Sequence, residues 1–158
     1  MMKKLVIVRH GDYGFDGSLS TKGKAQMKRL AENLRPELDG RKTIILFSTA
    51  PRGEQSARIL GAELEITACE PHEVLWSDRE NARSPHPAKT LALIRSKKEQ
   101  YGIVILVTHY EYAEEFPMYF SQFEFDGLLF PCVEIKKGEA WVIDCGSRTR
   151  VRVTPWSS

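Results

Sequence analysis

The chain has 158 residues, of which 42% are hydrophobic and 28% are charged, with a formal net charge of +2. This composition is typical of a globular domain large enough to build its own core, and so small a net charge gives no reason to expect a nucleic-acid or membrane-surface partner. We therefore predict one domain over residues 1–158, and the sequence does not indicate an oligomeric state.

The apolar segments and the cysteines bear on cellular location. The apolar run before Arg9 is too short for a secretory signal, and no other stretch reaches transmembrane length, so we expect a cytoplasmic protein. Three scattered cysteines favour reduced thiols over a disulfide framework, namely Cys69, Cys132 and Cys145. The spacing of Cys69, His72 and His86 fits no standard metal site, so we expect no metal or other cofactor.

Strands and helices alternate through the first two thirds of the sequence. Continuous apolar runs predict three strands buried on both faces, at residues 5–8, 43–47 and 103–107. Apolar residues at helical spacing predict three helices, at residues 21–34, 52–60 and 88–101. A short strand is expected within residues 64–76.

Individual residues predict where these elements begin and end. Ser20 is a suitable N-cap for the first helix, and Pro36 is expected to help close it. Gly61 is expected just beyond the end of the second helix. The prolines of the polar loop at residues 77–87 exclude regular structure there.

The last third of the chain is harder to interpret. Residues 111–131 are aromatic and irregular, and we expect one short helix before Pro117. Residues 133–135 and 140–144 resemble the arms of a hairpin across Lys137 and Gly138. Arginines then alternate with valines at residues 148–153, which predicts an edge strand with its polar face in water. The whole pattern predicts a three-layer α/β/α sandwich, with a mainly parallel central sheet and an antiparallel contribution near the C-terminus.

Polar side chains directly follow each of the three buried strands. They are Arg9 and His10, Ser48 and Arg52, and Thr108 and His109. Because the carboxyl ends of parallel strands meet at one edge of a sheet, we expect two arginines and two histidines to converge on one pocket. Guanidinium groups are matched to oxyanions, so a phosphoryl group is the ligand that this pocket favours.

Four motifs give the chain a resemblance to a known family, the histidine phosphatase or phosphoglycerate mutase-like superfamily. Arg9-His10-Gly11 matches the family's strand-end signature, and residues 19–26 match its first-helix pattern. Residues 48–57, with Arg52, resemble its second-arginine motif, and Val107-Thr108-His109 is similar to the segment that holds its second histidine. The motifs occur in family order over residues 1–109.

The resemblance implies a role for each matched residue. His10 is expected to accept the phosphoryl group, while Arg9, Arg52 and His109 bind phosphoryl oxygens. The family's general acid is usually a glutamate in the connection before the second histidine, where this chain offers Glu73, Asp78 and Glu80, without the usual glycines around them. Of these, Asp78 and Glu80 are the candidates.

Other positions depart from the family's pattern. Glu111 resembles the acid of another branch of the family and is the alternative to Asp78 and Glu80. Thr49 and Gly53 stand where the family usually has proline and alanine. Tyr110 and Glu111 occupy positions where many members have glycines, so the shape of the pocket near His109 is not fixed by the resemblance.

The length of one connection bears on which substrates can reach the site. The connection between the second helix and the third buried strand has no room for an inserted cap, so we expect an open site. The chain is most similar in this respect to small bacterial phosphohistidine phosphatases, which act on phosphorylated proteins. A phosphomonoesterase for small metabolites and a non-catalytic phosphate-binding module are the two alternatives.

Overall fold

The structure is a computed structural model that describes residues 1–156. Within that range it has six strands, β1 (Lys4–Arg9), β2 (Thr43–Phe47), β3 (Cys69–Pro71), β4 (Ile103–Thr108), β5 (Ala140–Asp144) and β6 (Thr149–Val153). Its four α-helices are α1 (Thr21–Leu38), α2 (Pro51–Leu64), α3 (Pro87–Lys97) and α4 (Tyr110–Glu124). Two short 3-10 helices, Glu73–Leu75 and Arg79–Asn81, lie between β3 and α3.

The strands form one sheet in the order β3-β2-β4-β1-β5-β6. The first four strands in that order are parallel, and β5 runs antiparallel to both β1 and β6. Helices α1 and α2 cover one face of the sheet, and α3 and α4 cover the other, each over its own apolar core. The predicted three-layer α/β/α sandwich is confirmed.

The register of the parallel strands brings the predicted site residues together. Arg9 at the end of β1 pairs with Thr108 at the end of β4, and Phe47 at the end of β2 pairs with Val107. The residues that follow each strand therefore leave the sheet at the same edge, as expected for a ligand-binding edge.

Two helices are longer than the sequence predicts. Helix α1 continues through Pro36 to Leu38, which is buried, and ends where Asp39 and Gly40 adopt left-handed backbone conformations. Helix α2 continues through Gly61 to Leu64. A side chain at position 61 would lie 3.2 Å from the Ile66 carbonyl oxygen, so this glycine serves close packing and does not end the helix.

Helix α3 is shifted toward the N-terminus from its predicted range. It begins at Pro87 and ends at Lys97. We expected Pro87 to exclude regular structure, but at the first position of a helix a proline loses no intrahelical hydrogen bond.

The prediction of an irregular segment around Pro117 is wrong. Helix α4 runs from Tyr110 to Glu124 with Pro117 inside it. Tyr112, Phe116 and Phe120 recur every four residues along this helix and are almost fully buried. Burial of a large aromatic side chain is worth about 2 kcal/mol, so three of them outweigh the hydrogen bond that proline removes.

The predicted hairpin is also wrong. Residues 133–135 are not a strand, and β5 pairs with β1 and forms its hairpin with β6. Instead, the turn before β5 binds the end of β1, where the Gly138 N–H lies 3.0 Å from the carbonyl oxygens of both Arg9 and His10. Strand β6 lies at the edge of the sheet, as predicted.

Between residues 1 and 156, no helix combines the length and the apolar content needed to cross a membrane.

Candidate active site

A cavity of about 490 Å³ opens at the carboxyl ends of β1, β2 and β4. Arg9, His10, Arg52 and His109 all line it, so the structure brings together the four residues that the sequence places in one pocket. The same cavity is lined by the three candidate acids, Asp78, Glu80 and Glu111.

His10 is buried and its ring orientation is fixed. Its Nδ1 lies 2.8 Å from the carbonyl oxygen of Gly11. Because a carbonyl oxygen only accepts hydrogen bonds, Nδ1 carries the ring proton and Nε2 keeps its lone pair. The ring also contacts His109 edge-on, with 4.9 Å between the ring centroids.

His109 is held from the end of β2. Its Nε2 lies 2.7 Å from the hydroxyl oxygen of Ser48, and that oxygen also accepts the Ala50 N–H at 3.2 Å. The indole ring of Trp76 stacks on the other side, with 6.4 Å between the centroids. His109 therefore has one ring nitrogen committed to Ser48, which leaves Nδ1 for a ligand.

The two arginines have unused hydrogen-bonding capacity. Arg9 donates from Nη1 to the Ile135 carbonyl oxygen at 2.8 Å, and its guanidinium lies 5.0 Å from the centre of the Tyr110 ring. The guanidinium of Arg52 lies over the Tyr13 ring at 4.5 Å. The Nε atoms of both arginines are buried and have no hydrogen-bond partner among the described residues. A buried donor of this kind is costly unless an acceptor binds it.

The electrostatics of the cavity keep both histidines neutral. Burial, opposed by a hydrogen bond with Gly11 and reinforced by the positive charges of Arg52, Arg9 and Lys137, lowers the pKa of His10 to about 3. Burial also lowers the pKa of His109 to about 2, with His10 and Arg52 as the next causes. An anion in the cavity opposes these effects, since it favours the charged form of each imidazole.

Polar residues of the matched motifs stabilise the loop after His10. The Gly11 N–H donates to the Ser56 hydroxyl at 3.1 Å, the Asp12 N–H to Gln26 at 2.8 Å and the Leu19 N–H to Gln55 at 2.6 Å. These side chains come from α1 and α2, so the two helices fix the backbone that presents His10.

Glycine at position 53 has a packing role in α2. A Cβ atom there would lie 2.9 Å from both the Cβ and the carbonyl oxygen of Ser48, closer than side chains normally approach. Gly53 therefore lets α2 lie against the residue that binds His109.

The three candidate acids differ in how they are held. Glu111 accepts the Ser77 hydroxyl at 2.7 Å and the Arg79 N–H at 3.2 Å, so both of its carboxylate oxygens are engaged. Asp78 accepts one hydrogen bond, from the side chain of Asn81 at 2.8 Å. No hydrogen bond or ion pair of the Glu80 side chain is found among residues 1–156. Asp78 and Glu80 thus have oxygens free for a ligand, whereas Glu111 ties the loop to α4.

Several residues around the site are not indicated by any sequence pattern. Tyr13 supports Arg52, Trp76 stacks on His109, and Tyr110 contacts Arg9. Lys137 lies 4.6 Å from the Tyr13 ring and 3.7 Å from an Asp12 oxygen. Tyr13 and Tyr110 are close in sequence to His10 and His109, and this proximity could have suggested that they contact the site. Trp76 and Lys137 lie in connections that contain no recognisable motif.

The arrangement suits an oxyanion. Two guanidinium groups and a second imidazole surround a neutral imidazole with a free lone pair, and donors of this kind bind phosphoryl oxygens. Between residues 1 and 156, no group of three or more histidine, cysteine or acidic residues is placed to hold a metal ion.

Neither protein-family models nor curated protein sequences match the chain. A protein histidine phosphatase SixA, solved with tungstate, is similar over 96% of this chain and 97% of its own, with a TM-score of 0.72 and 18% identity.

Two further solved structures have comparable similarity. The SixA protein of Agrobacterium tumefaciens, assigned as a phosphohistidine phosphatase, is similar over 97% of each chain, with a TM-score of 0.66 and 19% identity. A mycobacterial glucosyl-3-phosphoglycerate phosphatase, Rv2419c, is similar over 98% of this chain and 99% of its own, with a TM-score of 0.63 and 18% identity. The chain therefore has the fold of the histidine phosphatases, as its four motifs predict.

Proposed function

We propose that the protein is a phosphatase that works through a phosphohistidine on His10. The observation that carries this proposal is the combination of a neutral, buried imidazole with two guanidinium groups whose Nε atoms lack partners, all in one cavity. The similarity in fold to SixA and to Rv2419c supports it.

In the first step the Nε2 lone pair of His10 attacks phosphorus opposite the leaving group. The Nε2–P bond forms as the bond from phosphorus to the leaving group breaks, and the leaving group takes the electron pair. The hydrogen bond from Nδ1 to the Gly11 carbonyl holds the required tautomer and stabilises the positive charge that develops on the ring.

The cations act on the phosphoryl oxygens. Arg9 and Arg52 bind the oxygens whose charge must be stabilised through the transition state, and such a contact supplies about 3 kcal/mol. His109 donates from Nδ1 when the Ser48 hydroxyl donates to its Nε2.

An acid and a water complete the cycle. Asp78 or Glu80 protonates an alkoxide leaving group, and water then hydrolyses the phosphohistidine. An imidazole leaving group needs little such help, because the ring nitrogen of a phosphohistidine is a weaker base than an alkoxide.

The substrate that we propose is phosphohistidine in a protein. The connection from α2 to β4 is filled by β3, the two 3-10 helices and α3, and it leaves the cavity open at the exposed 78–81 loop. An open cavity admits a protein side chain. The alternative substrate, a small phosphate ester, is favoured by the similarity to Rv2419c.

Turnover of p-nitrophenyl phosphate, with and without EDTA, tests the reaction. We expect hydrolysis that EDTA does not reduce. Tight phosphate binding without turnover would instead establish the non-catalytic module.

The substrate class is tested separately. The values of kcat/KM for a phosphohistidine protein and for a set of metabolite phosphates should differ by at least about tenfold in favour of the protein, an expectation that follows from a larger contact surface in the transition state. The reverse order would assign a metabolite phosphatase.

A further inference from the structure

A second, basic cavity adjoins the candidate active site. It has a volume of about 390 Å³, and Arg9 lines both this cavity and that of His10. Its other charged lining residues are Asp12, Lys22, Lys136, Lys137 and Glu139, and we call it the lysine pocket.

The acidic residues of the lysine pocket are already engaged. Glu139 is buried and accepts the backbone N–H of Lys136 at 2.7 Å. Asp12 accepts the Ser20 hydroxyl at 2.7 Å and lies 3.7 Å from the ammonium group of Lys137.

The basic residues are less fully paired. Within residues 1–156, Lys22 and Lys136 form no ion pair. Arg9 has its unpartnered Nε. With four basic side chains against two carboxylates in its lining, the lysine pocket carries net positive charge beside the phosphoryl cavity.

The position of these lysines is set by the backbone of the active site itself. The turn that carries Lys136 and Lys137 is bound by Gly138 to the carbonyl oxygens of Arg9 and His10. Lys22 lies in the first turn of α1, whose Ser20 cap contacts Asp12. A ligand group in the lysine pocket would thus be held at a fixed position relative to His10.

We propose that the lysine pocket binds a second anionic group of the substrate, a carboxylate or a phosphate, while the phosphoryl group lies against His10. This deepens the proposed function, on which it rests, by naming the substrate class as polyanionic. The second group comes either from an acidic side chain near a phosphohistidine or from a small metabolite with two anionic ends. Exposed charge pairs contribute modestly to binding, so we expect the protein to prefer substrates with a second anionic group without requiring one.

Matched substrate pairs test the proposal. One pair is the phosphate ester of γ-hydroxybutyric acid and its neutral amide, and the other is a phosphohistidine peptide with glutamate or glutamine beside the modified residue. The two members of each pair have leaving groups of nearly equal basicity and differ in one charge. We expect at least one pair to show about a tenfold preference in kcat/KM for the charged member, and this preference should decrease with added salt. The pair that shows it identifies the source of the anion.

Variants locate the effect. The double variant Lys22→Gln with Lys136→Gln should bring the ratio within each pair close to one, while Lys28→Gln, an exposed lysine of α1 outside the lysine pocket, should not change it. Lys137 is left in place because it contacts Asp12 and Tyr13 and lowers the pKa of His10. A ratio of one in both pairs for the wild-type protein, or an unchanged ratio in the double variant, would overturn the proposal.

A binding measurement separates this result from the proposed function. The dissociation constants of the two hydroxybutyrate esters and of the two peptides can be measured on His10→Ala, where turnover is not required. A preference in binding without any wild-type turnover would support the lysine pocket and reject the phosphatase. Wild-type turnover, with equal dissociation constants and equal kcat/KM within both pairs, would support the phosphatase and reject the lysine pocket.

Discussion

The two sides of the candidate active site are built differently. On one side, Arg9, His10 and His109 lie at the ends of buried strands, and backbone hydrogen bonds fix the segments that carry them. On the other side, the exposed 78–81 loop is held by side chains of α4, through Glu111 and through a two-bond pair between Arg79 and Glu115. In the proposed reaction, the strand side would bind the phosphoryl group and the loop side would face the leaving group.

Replacement of a cation on the strand side should have a large effect on every substrate. Arg52→Lys is expected to lower kcat/KM about a hundredfold, because a point ammonium cannot reproduce the planar guanidinium. Steady-state kinetics with p-nitrophenyl phosphate and an alkyl phosphate measure this loss. Arg58→Lys is the matched control, since Arg58 lies on the same helix and pairs with Glu54 in solvent. A loss below threefold at position 52 would mean that Arg52 does not bind the phosphoryl group.

A change on the loop side should depend on the leaving group. We expect Asp78→Asn or Glu80→Gln to lower the rate for an alkyl phosphate about a hundredfold, because an alkoxide needs protonation. The same variant should affect p-nitrophenyl phosphate little, since its phenolate departs unaided. The ratio of the two kcat/KM values is the measurement, and equal losses for both esters would remove both residues as candidates for the acid.

Glu111→Gln tests whether Glu111 is a tether or the acid. Its carboxylate accepts from Ser77 and from the Arg79 backbone, so its loss should loosen the loop and lower kcat/KM for both esters about fivefold, the equivalent of one hydrogen bond. A selective loss for the alkyl ester would assign the general acid to Glu111 and change the branch of the family that the chain resembles.

The protonation of the free protein is a separate prediction, because it concerns stability and not turnover. Because burial and the neighbouring cations lower the pKa of His10 to about 3 and that of His109 to about 2, both rings should stay neutral well below the usual value. The unfolded chain then binds more protons than the folded one, so the free energy of unfolding should fall as pH decreases from about 6.5 to about 3. NMR titration of the ring protons checks this directly, and a midpoint near 6.5 for either ring would contradict it.

Much of the strand side could be predicted from the sequence. Continuous apolar runs place β1, β2 and β4, and the motif residues after each run identify Arg9, His10, Arg52 and His109 as candidates for one pocket. The sequence pattern predicts the position of these residues correctly because adjacent parallel strands end at the same edge of the sheet.

The remaining parts depend on contacts between distant segments. The predicted hairpin at residues 133–144 does not form because Ala140–Asp144 pairs with β1 and not with residues 133–135. Pro117 lies within α4 because aromatic residues separated by four positions gain more from burial than the proline loses. Lys137 reaches the site through the first of these arrangements, so its position could not be inferred from local patterns.

Detection of a phosphorylated His10 is the most direct test of the central claim. After rapid mixing with labelled substrate and an alkaline quench, the wild-type protein should carry acid-labile, alkali-stable phosphate that maps to the peptide containing His10. His10→Ala should carry none and should show no turnover, with an unchanged circular dichroism spectrum. Acid-labile phosphate on the His10→Ala protein, or turnover by it, would contradict the account.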